Sequence, residues 1–169
     1  EWQRAGITSY FHECRCLGET PSGRALRWLT KLLTGVFRRA DVMEFLLSSP
    51  LKRPDDFPSD LPDVPAAEWN HLSMEAQIIA GERSWKDNLA RLRNHLNTEL
   101  ERREWEADDP AAPLKNKLAS LTAMEIYLQR LFAAVRAVRE AKSWQQLGER
   151  MSALFSEFVA SSEDADLIL

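Results

Sequence analysis

The chain has 169 residues, of which 44% are hydrophobic and 28% are charged, and these are ordinary values for one globular domain with a buried core. Two cysteines are too few for a disulfide scaffold, and no apolar run approaches the roughly 18 residues that a membrane-spanning helix needs. The composition therefore predicts a protein of a reducing compartment, and we expect a cytoplasmic location.

Charge is distributed unevenly along the chain, whose formal net charge is −4. Residues 1–54 carry nine Lys/Arg against five Asp/Glu, a local net charge of +4, and the remainder carries thirteen against twenty-one, or −8. A mostly acidic chain is a poor non-specific ligand for nucleic acid. Only the first third of the sequence could offer phosphates a basic surface.

The first predicted element is a short strand over residues 7–12, which follow Gly6 and are rich in β-branched and aromatic side chains. Side chains alternate along a strand, so His12, Cys14 and Cys16 would share one face. They could form a metal or redox site, or the two cysteines could simply be buried or half-buried thiols. Same-face neighbours lie about 7 Å apart, too far to converge on zinc at about 2.0–2.3 Å or to close a disulfide. We favour buried thiols.

An isolated strand leaves its backbone groups unpaired, and the rest of the sequence predicts no second strand. The chain also begins with Glu1 rather than Met and ends in the apolar run DADLIL. We therefore expect a fragment cut from a longer polypeptide, in which the strand belongs to the sheet of a neighbouring domain.

Two helices are predicted next. The first begins at Pro21 with Thr20 as its N-cap and ends at Gly35. The second covers about residues 39–48. Their apolar residues follow helical spacing and are expected in the core: Ala25, Leu26, Leu29, Leu32 and Leu33, then Val42, Phe45 and Leu46. Four prolines and four aspartates within residues 51–65 then predict a surface loop.

Two more helices are predicted after this loop. The first covers residues 66–80 and ends at Gly81. The next begins at Ser84, because Ser84 and Asp87 resemble a capping box, and it reaches about Glu106. Its apolar stripe is Trp85, Leu89, Leu92, Leu96 and Leu100.

The segment EADDPAAP, residues 106–113, ends that helix, and two others follow. One is striped by Leu114, Leu118, Leu121, Leu128, Leu131, Phe132, Val135 and Val138. Ser143 and Gln146 form a capping box for the last, which is striped by Leu147, Met151, Leu154, Phe155 and Phe158. We expect Trp28, Trp85 and Trp144 in the core rather than as stacking platforms for bases. The predicted fold class is therefore mainly α, a multi-helix orthogonal or bundle domain with one short N-terminal strand.

Motifs of catalysis are missing from the sequence. It contains no G-x-x-x-x-G-K-[ST] loop, no G-x-G-x-x-G, no H-E-x-x-H and no Asp-Asp-Lys nuclease constellation. The carboxylates of residues 99–106 alternate with Arg102 and Arg103, which is typical of a solvated helix face. We therefore predict no catalytic residue, no cofactor and no metal in this chain by itself.

The order of features resembles the second motor domain of UvrD/Rep-type helicases and of AddB-like helicase–nuclease subunits. Those proteins show a strand of the form GIP-x-Y, a G-x-x-L turn and a TP-x-GRAL helix start. The similar residues here are Gly6, Ile7, Tyr10, Leu17, Thr20, Pro21, Gly23, Arg24, Ala25 and Leu26. This chain departs from the pattern at Thr8, where Pro is expected, and at Cys14 and Cys16, where Gly or Ala is usual.

Three later segments are also similar to AddB-like subunits. RADVMEFLLSSPL, residues 39–51, resembles SR-x-DV-x-x-x-L-x-S-x-L. AGERSW, residues 80–85, and SWQQLGERMSALF, residues 143–155, resemble the helix starts G-x-x-x-W and SW-x-x-L-x-x-x-L. The similar positions pack and cap helices and carry no catalysis.

The resemblance implies the helical accessory domain, 2B-like, that is inserted into the second RecA-like motor domain. Residues 1–18 would end the motor-domain helix and strand, 19–50 form a basic helical pair, 51–65 a Pro/Asp-rich loop and 66–169 a helical bundle. Such domains contact duplex DNA or hold the partner subunit of the helicase–nuclease. The parent would carry RecA-like motor and PD-(D/E)XK nuclease domains and act in double-strand break repair, often with a degenerate motor.

Three functions therefore stay open for the chain: an accessory domain that contacts DNA, a helical protein–protein scaffold with no DNA contact, or a helical domain that binds a small ligand or a metal. If DNA is the ligand, the expected contacts are Arg24, Arg27, Lys31, Arg38 and Arg39. The first three share one helix face, opposite the leucine stripe. Arg38 and Arg39 open the next helix, an unfavourable end for positive charge, which suggests either tolerance or a use for that charge.

Overall fold

The computed structural model describes residues 17–54, 57, 64–105 and 111–160. Within them the chain is mainly helical, which confirms the predicted fold class. One 3₁₀ turn, Leu17–Glu19, precedes six helices: α1 (Pro21–Thr34), α2 (Arg39–Ser48), α3 (Ala66–Glu75), α4 (Glu82–Trp105), α5 (Ala112–Arg139) and α6 (Trp144–Phe158). The predicted strand over residues 7–12 lies outside the described residues.

Helix α1 has both of the ends that the sequence predicts. The Thr20 hydroxyl accepts a hydrogen bond from the Gly23 N–H at 3.0 Å, and Pro21 occupies the first turn, where its missing N–H leaves no helix bond unmade. At the other end the Gly35 N–H donates to the Lys31 carbonyl at 2.9 Å. Ala25, Leu29 and Leu32 are fully buried, while Leu26 and Leu33 pack against the core from its edge.

Helix α3 ends earlier than predicted, at Glu75 rather than beside Gly81. Gln77 adopts a left-handed backbone, with φ of 55°, and its N–H donates to the Met74 carbonyl at 2.9 Å. The next N–H, of Ile78, donates back to the Ser73 carbonyl at 3.1 Å, and the Ile78 side chain is buried. This is a Schellman C-cap with glutamine in place of the usual glycine.

Helix α4 begins at Glu82, so the predicted start at Ser84 was wrong. Gly81, with φ of 91°, provides the turn before the helix, and the Trp85 N–H donates to the Gly81 carbonyl at 3.1 Å. Ser84 is therefore already helical, and its hydroxyl lies 3.4 Å from the Asn88 amide nitrogen, which donates to it.

Helix α6 begins as predicted, since the Ser143 hydroxyl accepts from the Gln146 N–H at 3.2 Å. The expectation that Trp144 is buried was wrong, because its side chain is 88% exposed. It continues the stripe of Leu147 and Met151, but the core covers α6 completely only from Leu154 onward.

Helix α5 lies at the centre and packs against α1, α3, α4 and α6. The buried hydrophobic residues form one core cluster that extends from Ala25 to Val159. On one side of it the Tyr127 ring lies 5.4 Å from Trp69 and 5.3 Å from Phe158, centroid to centroid. Burial raises the pKa of Tyr127, and the nearby Glu157 carboxylate adds to the rise.

The junction of α1 and α2 is tied to the loop between α3 and α4. The Arg39 N–H donates to the Ile79 carbonyl and the Gly81 N–H donates to the Val36 carbonyl, both at 2.8 Å. Phe37 lies between these bonds with φ of 52°, and its buried ring is 4.3 Å from that of Phe132. Its carbonyl accepts from the Trp85 indole at 2.9 Å, so α1, α2 and α4 meet at this one residue.

The predicted loop after α2 is described only in part. Leu51 forms an antiparallel bridge with Val159, next to hydrogen bonds from the Lys52 N–H to Phe158 and from the Ala160 N–H to Pro50. The loop therefore closes onto the end of α6. None of the described helices combines the length and the apolar character that crossing a bilayer requires.

Candidate nucleic-acid interface

Three of the predicted DNA-contacting residues lie together on the exposed side of α1. Arg24, Arg27 and Lys31, which we name the cation row, are all exposed, while Ala25 and Leu29 on the opposite side are fully buried. A rise of 1.5 Å per residue makes the row about 10.5 Å long. The row follows directly from the amphipathic pattern, because a helix that buries one stripe must expose the other.

The contacts of the cation row leave its charge available. One Arg24 nitrogen donates to the Glu19 carbonyl at 2.9 Å, an uncharged partner. The Lys31 ammonium lies 4.0 Å from the centroid of the Trp28 ring, which it covers, so that face of the ring is closed to a stacking base. Among the described residues, none of the three cations forms an ion pair.

Cations on the later helices are arranged differently. Lys117 pairs with Glu75 at 2.7 Å, and Arg130 pairs with Glu157 at 3.0 Å. Glu99 accepts hydrogen bonds from two arginines, Arg102 and Arg103, which lower its pKa to about 2. These four cations of the later helices are neutralised by carboxylates, whereas the three cations of the row on α1 are not.

Arg38 and Arg39 have separate environments. Arg38 is exposed and precedes α2 without a side-chain cap bond. Arg39 is half-buried, and its guanidinium donates to the Asn70 side-chain oxygen at 2.8 Å and lies 3.5 Å from the Ser73 hydroxyl. Arg39 thus connects α2 to α3, and we leave it out of the surface proposed below.

A groove that the sequence did not predict lies where α5 turns into α6. It has a volume of about 520 Å³ and is lined by Leu33, Val138, Arg139, Ala141, Lys142, Ser143, Trp144 and Leu147. We name it the α5–α6 groove. Arg139 fixes one wall, because its guanidinium donates to the carbonyls of Leu32, Leu33 and Gly35 at 2.5–2.9 Å and stacks 4.6 Å from the Phe37 ring.

A second groove, of about 680 Å³, lies between α4 and α5 over Trp85 and Phe132. It contains the ion pairs of Arg136 with Glu82 and of Arg93 with Glu125. The hydrogen bond to the Glu82 carboxylate raises the pKa of Arg136. Five of the six charged residues that line this groove form ion pairs, so it has less to offer an ionic ligand than the cation row does.

Among the described residues, no group of three or more His, Cys, Asp or Glu side chains is placed to hold a metal ion. The weak candidate set of His12, Cys14 and Cys16 lies outside the described residues, so the expectation of buried thiols there stays a prediction from the sequence.

Comparisons of the chain with models of protein families, with curated proteins and with solved structures found no match. The resemblance to AddB-like subunits therefore stays a prediction from the sequence.

Proposed function

We propose that this chain is a non-catalytic accessory domain that contacts DNA phosphates through the cation row of α1, with Arg38 beside its C-terminal end. The observation that supports this most is the row itself, because Arg24, Arg27 and Lys31 lie exposed along one face of α1 and form no ion pair with the described residues. The proposed setting is a helicase/exonuclease subunit of double-strand break repair, as the sequence resemblance implies.

The dimensions of the row suit a duplex. The row places three cations along about 10.5 Å of helix, so it can contact up to three phosphates of a duplex. The described segment 17–54 carries seven Lys/Arg against three Asp/Glu, which gives a local charge of +4 on a chain of net charge −4. DNA would therefore be attracted to this side of the domain and repelled by the rest. This charge distribution orients the domain on DNA whatever the base sequence.

The scaffold of α1 holds the row in fixed positions. The helix is capped at Thr20, its inner side is fully buried at Ala25, Leu29 and Leu32, and Arg139 binds its last carbonyls. A rigid row loses little conformational freedom on binding except in the side chains themselves. The partners in this proposal are DNA and the RecA-like motor and nuclease domains of the parent chain.

Charge reversal tests the proposal. We expect the Arg24→Glu/Arg27→Glu/Lys31→Glu variant to lose binding to a short DNA duplex at low salt, in a fluorescence anisotropy titration. A matched control is Arg83→Glu/Lys86→Glu/Arg91→Glu on α4, where three exposed cations change the net charge by the same amount. Binding that falls equally in both variants would mean that only total charge matters, and binding that survives in the first would exclude the cation row.

The alternative, a helical scaffold that binds protein and not DNA, has one specific observation in its favour. The α5–α6 groove exposes Trp144 beside aliphatic residues, and such a surface suits a protein partner. The two proposals rest on different surfaces of the domain, so variants in the groove and in the cation row test them separately.

A further inference from the structure

The α5–α6 groove combines an exposed aromatic wall with an aliphatic floor. Trp144 is the most exposed large hydrophobic side chain of the described residues, at 88%. Next to it lie Leu33, Val138 and Leu147, which are buried or half-buried. Tryptophan is strongly enriched among the residues that dominate binding energy in protein interfaces, so this arrangement indicates a surface with a partner.

The groove and the cation row lie on opposite sides of α1. Leu33 follows Arg24 by nine residues, and at about 100° per residue their side chains point about 180° apart. Lys31 and Leu33 are similarly separated, by about 200°. A ligand in the groove therefore does not need the cation row, and this inference is independent of the DNA contact proposed above.

The rim of the groove is positive. Arg139 and Lys142 line it, and the described residues that line it include no carboxylate. The carbonyl oxygens that Arg139 binds are uncharged, so its guanidinium keeps its full positive charge, and Lys142 is exposed. The N-terminal end of α6, which begins at Trp144, adds partial positive charge to the same rim.

The walls distinguish between two classes of ligand. A base could stack on Trp144, but the walls opposite it are aliphatic and have no amide or carboxylate side chain to meet the edge of a base. Leucine or phenylalanine side chains match an aliphatic floor, and acidic neighbours match a positive rim. The groove is also open to solvent, which suits a peptide more than an enclosed small molecule.

We propose that the α5–α6 groove binds a short acidic segment of a partner protein, in which leucine or phenylalanine side chains are flanked by aspartate and glutamate. An apolar side chain of the segment packs between Trp144 and Leu147. Its carboxylates lie near Lys142 and the start of α6. This assigns a docking function to the one predicted core tryptophan that the fold leaves exposed.

The test titrates the full chain into a fluorescein-labelled synthetic peptide with the central sequence Leu-Leu-Asp-Phe between runs of Glu and Asp. We expect Trp144→Ala to weaken binding about tenfold or more, and Lys142→Glu to weaken it severalfold. Ile79→Ser is the matched control, because Ile79 is 81% exposed and lies outside the groove, and it should leave the affinity unchanged. Circular dichroism should show the same helix content in all variants.

Three results would overturn the docking proposal. They are absence of binding when the chain reaches about 1 mM, an equal loss of affinity in the Ile79→Ser variant, and binding that persists when lysine replaces the acidic residues of the peptide. A thymidine oligonucleotide that binds in a Trp144-dependent way and displaces the peptide would instead assign the groove to nucleic acid. The cation-row triple variant should bind the peptide normally, so failure here and failure of the DNA proposal are distinguishable.

Discussion

Replacing Gln77 with glycine should stabilise the protein, although glycine usually weakens a folded chain. Gln77 has φ of 55°, its side chain is exposed, and only its backbone takes part in the C-cap of α3. A left-handed backbone costs an L-residue about 1–2 kcal/mol, and glycine avoids this cost. Against that gain, glycine adds about 0.4–1 kcal/mol of conformational entropy to the unfolded chain. The expected net gain is about 0.5–1 kcal/mol, or a Tm about 2 °C higher.

The same substitution at Gln129 provides the control. Gln129 is also exposed, but it lies inside α5, where glycine should reduce stability by about 0.5–1 kcal/mol. Urea unfolding followed by circular dichroism measures both variants against the parent chain. Opposite signs at the two positions support the left-handed cap of α3. Destabilisation by Gln77→Gly of the same size as Gln129→Gly would refute it.

Three further changes test other parts of the structure. Arg139→Ala should lower the free energy of unfolding by about 2 kcal/mol, because the last carbonyls of α1 lose a charged donor. Arg139→Lys should restore less than half of this loss. Urea unfolding measures both variants and the parent chain, and full rescue by lysine would contradict the prediction. Thr20→Ala should lower the free energy of unfolding by about 1 kcal/mol, because the N-cap hydrogen bond from the Gly23 N–H is lost. Thr30→Ala, on the exposed side of α1, is the control, and thermal unfolding measures both variants. The pKa of Glu99, lowered to about 2, predicts stability that is fully present above the unfolded pKa near 4.5 and is lost as the pH falls toward 2. The free energy of unfolding of Glu99→Gln should therefore fall less between pH 4.5 and 2 than that of the parent chain. An equal fall in the two proteins would exclude this contribution of Glu99.

Local signals were sufficient for part of the fold. Thr20, Pro21 and Gly35 each act within one turn of the helix that they limit, so their roles could be read from spacing alone. The exposure of the cation row follows from the same periodicity, because the buried stripe fixes which side of α1 faces out.

The wrong or missing predictions share one physical cause. They concern backbone conformations and contacts that the spacing of residues along the sequence does not reveal. Gln77 takes the left-handed position in which glycine is usual, so α3 ends before the residue that the sequence predicts. Trp144 has the right spacing for its stripe, but burial needs a neighbouring helix over it. Arg139 binds carbonyls more than one hundred residues earlier in the chain, and Arg39 reaches α3 across the predicted loop, so neither partnership has a local signal.

The most direct test of the central claim is the salt dependence of DNA binding by the full chain. Three or four phosphate contacts predict that log K falls with log[salt] at a slope of about −3, since each neutralised phosphate contributes about −0.9. Removing one cation with Arg27→Ala should reduce this slope by about one unit, while Arg91→Ala on α4 should leave it unchanged. A parent chain that binds no duplex at low salt, or a slope that is the same in both variants, would contradict the proposal that α1 contacts DNA.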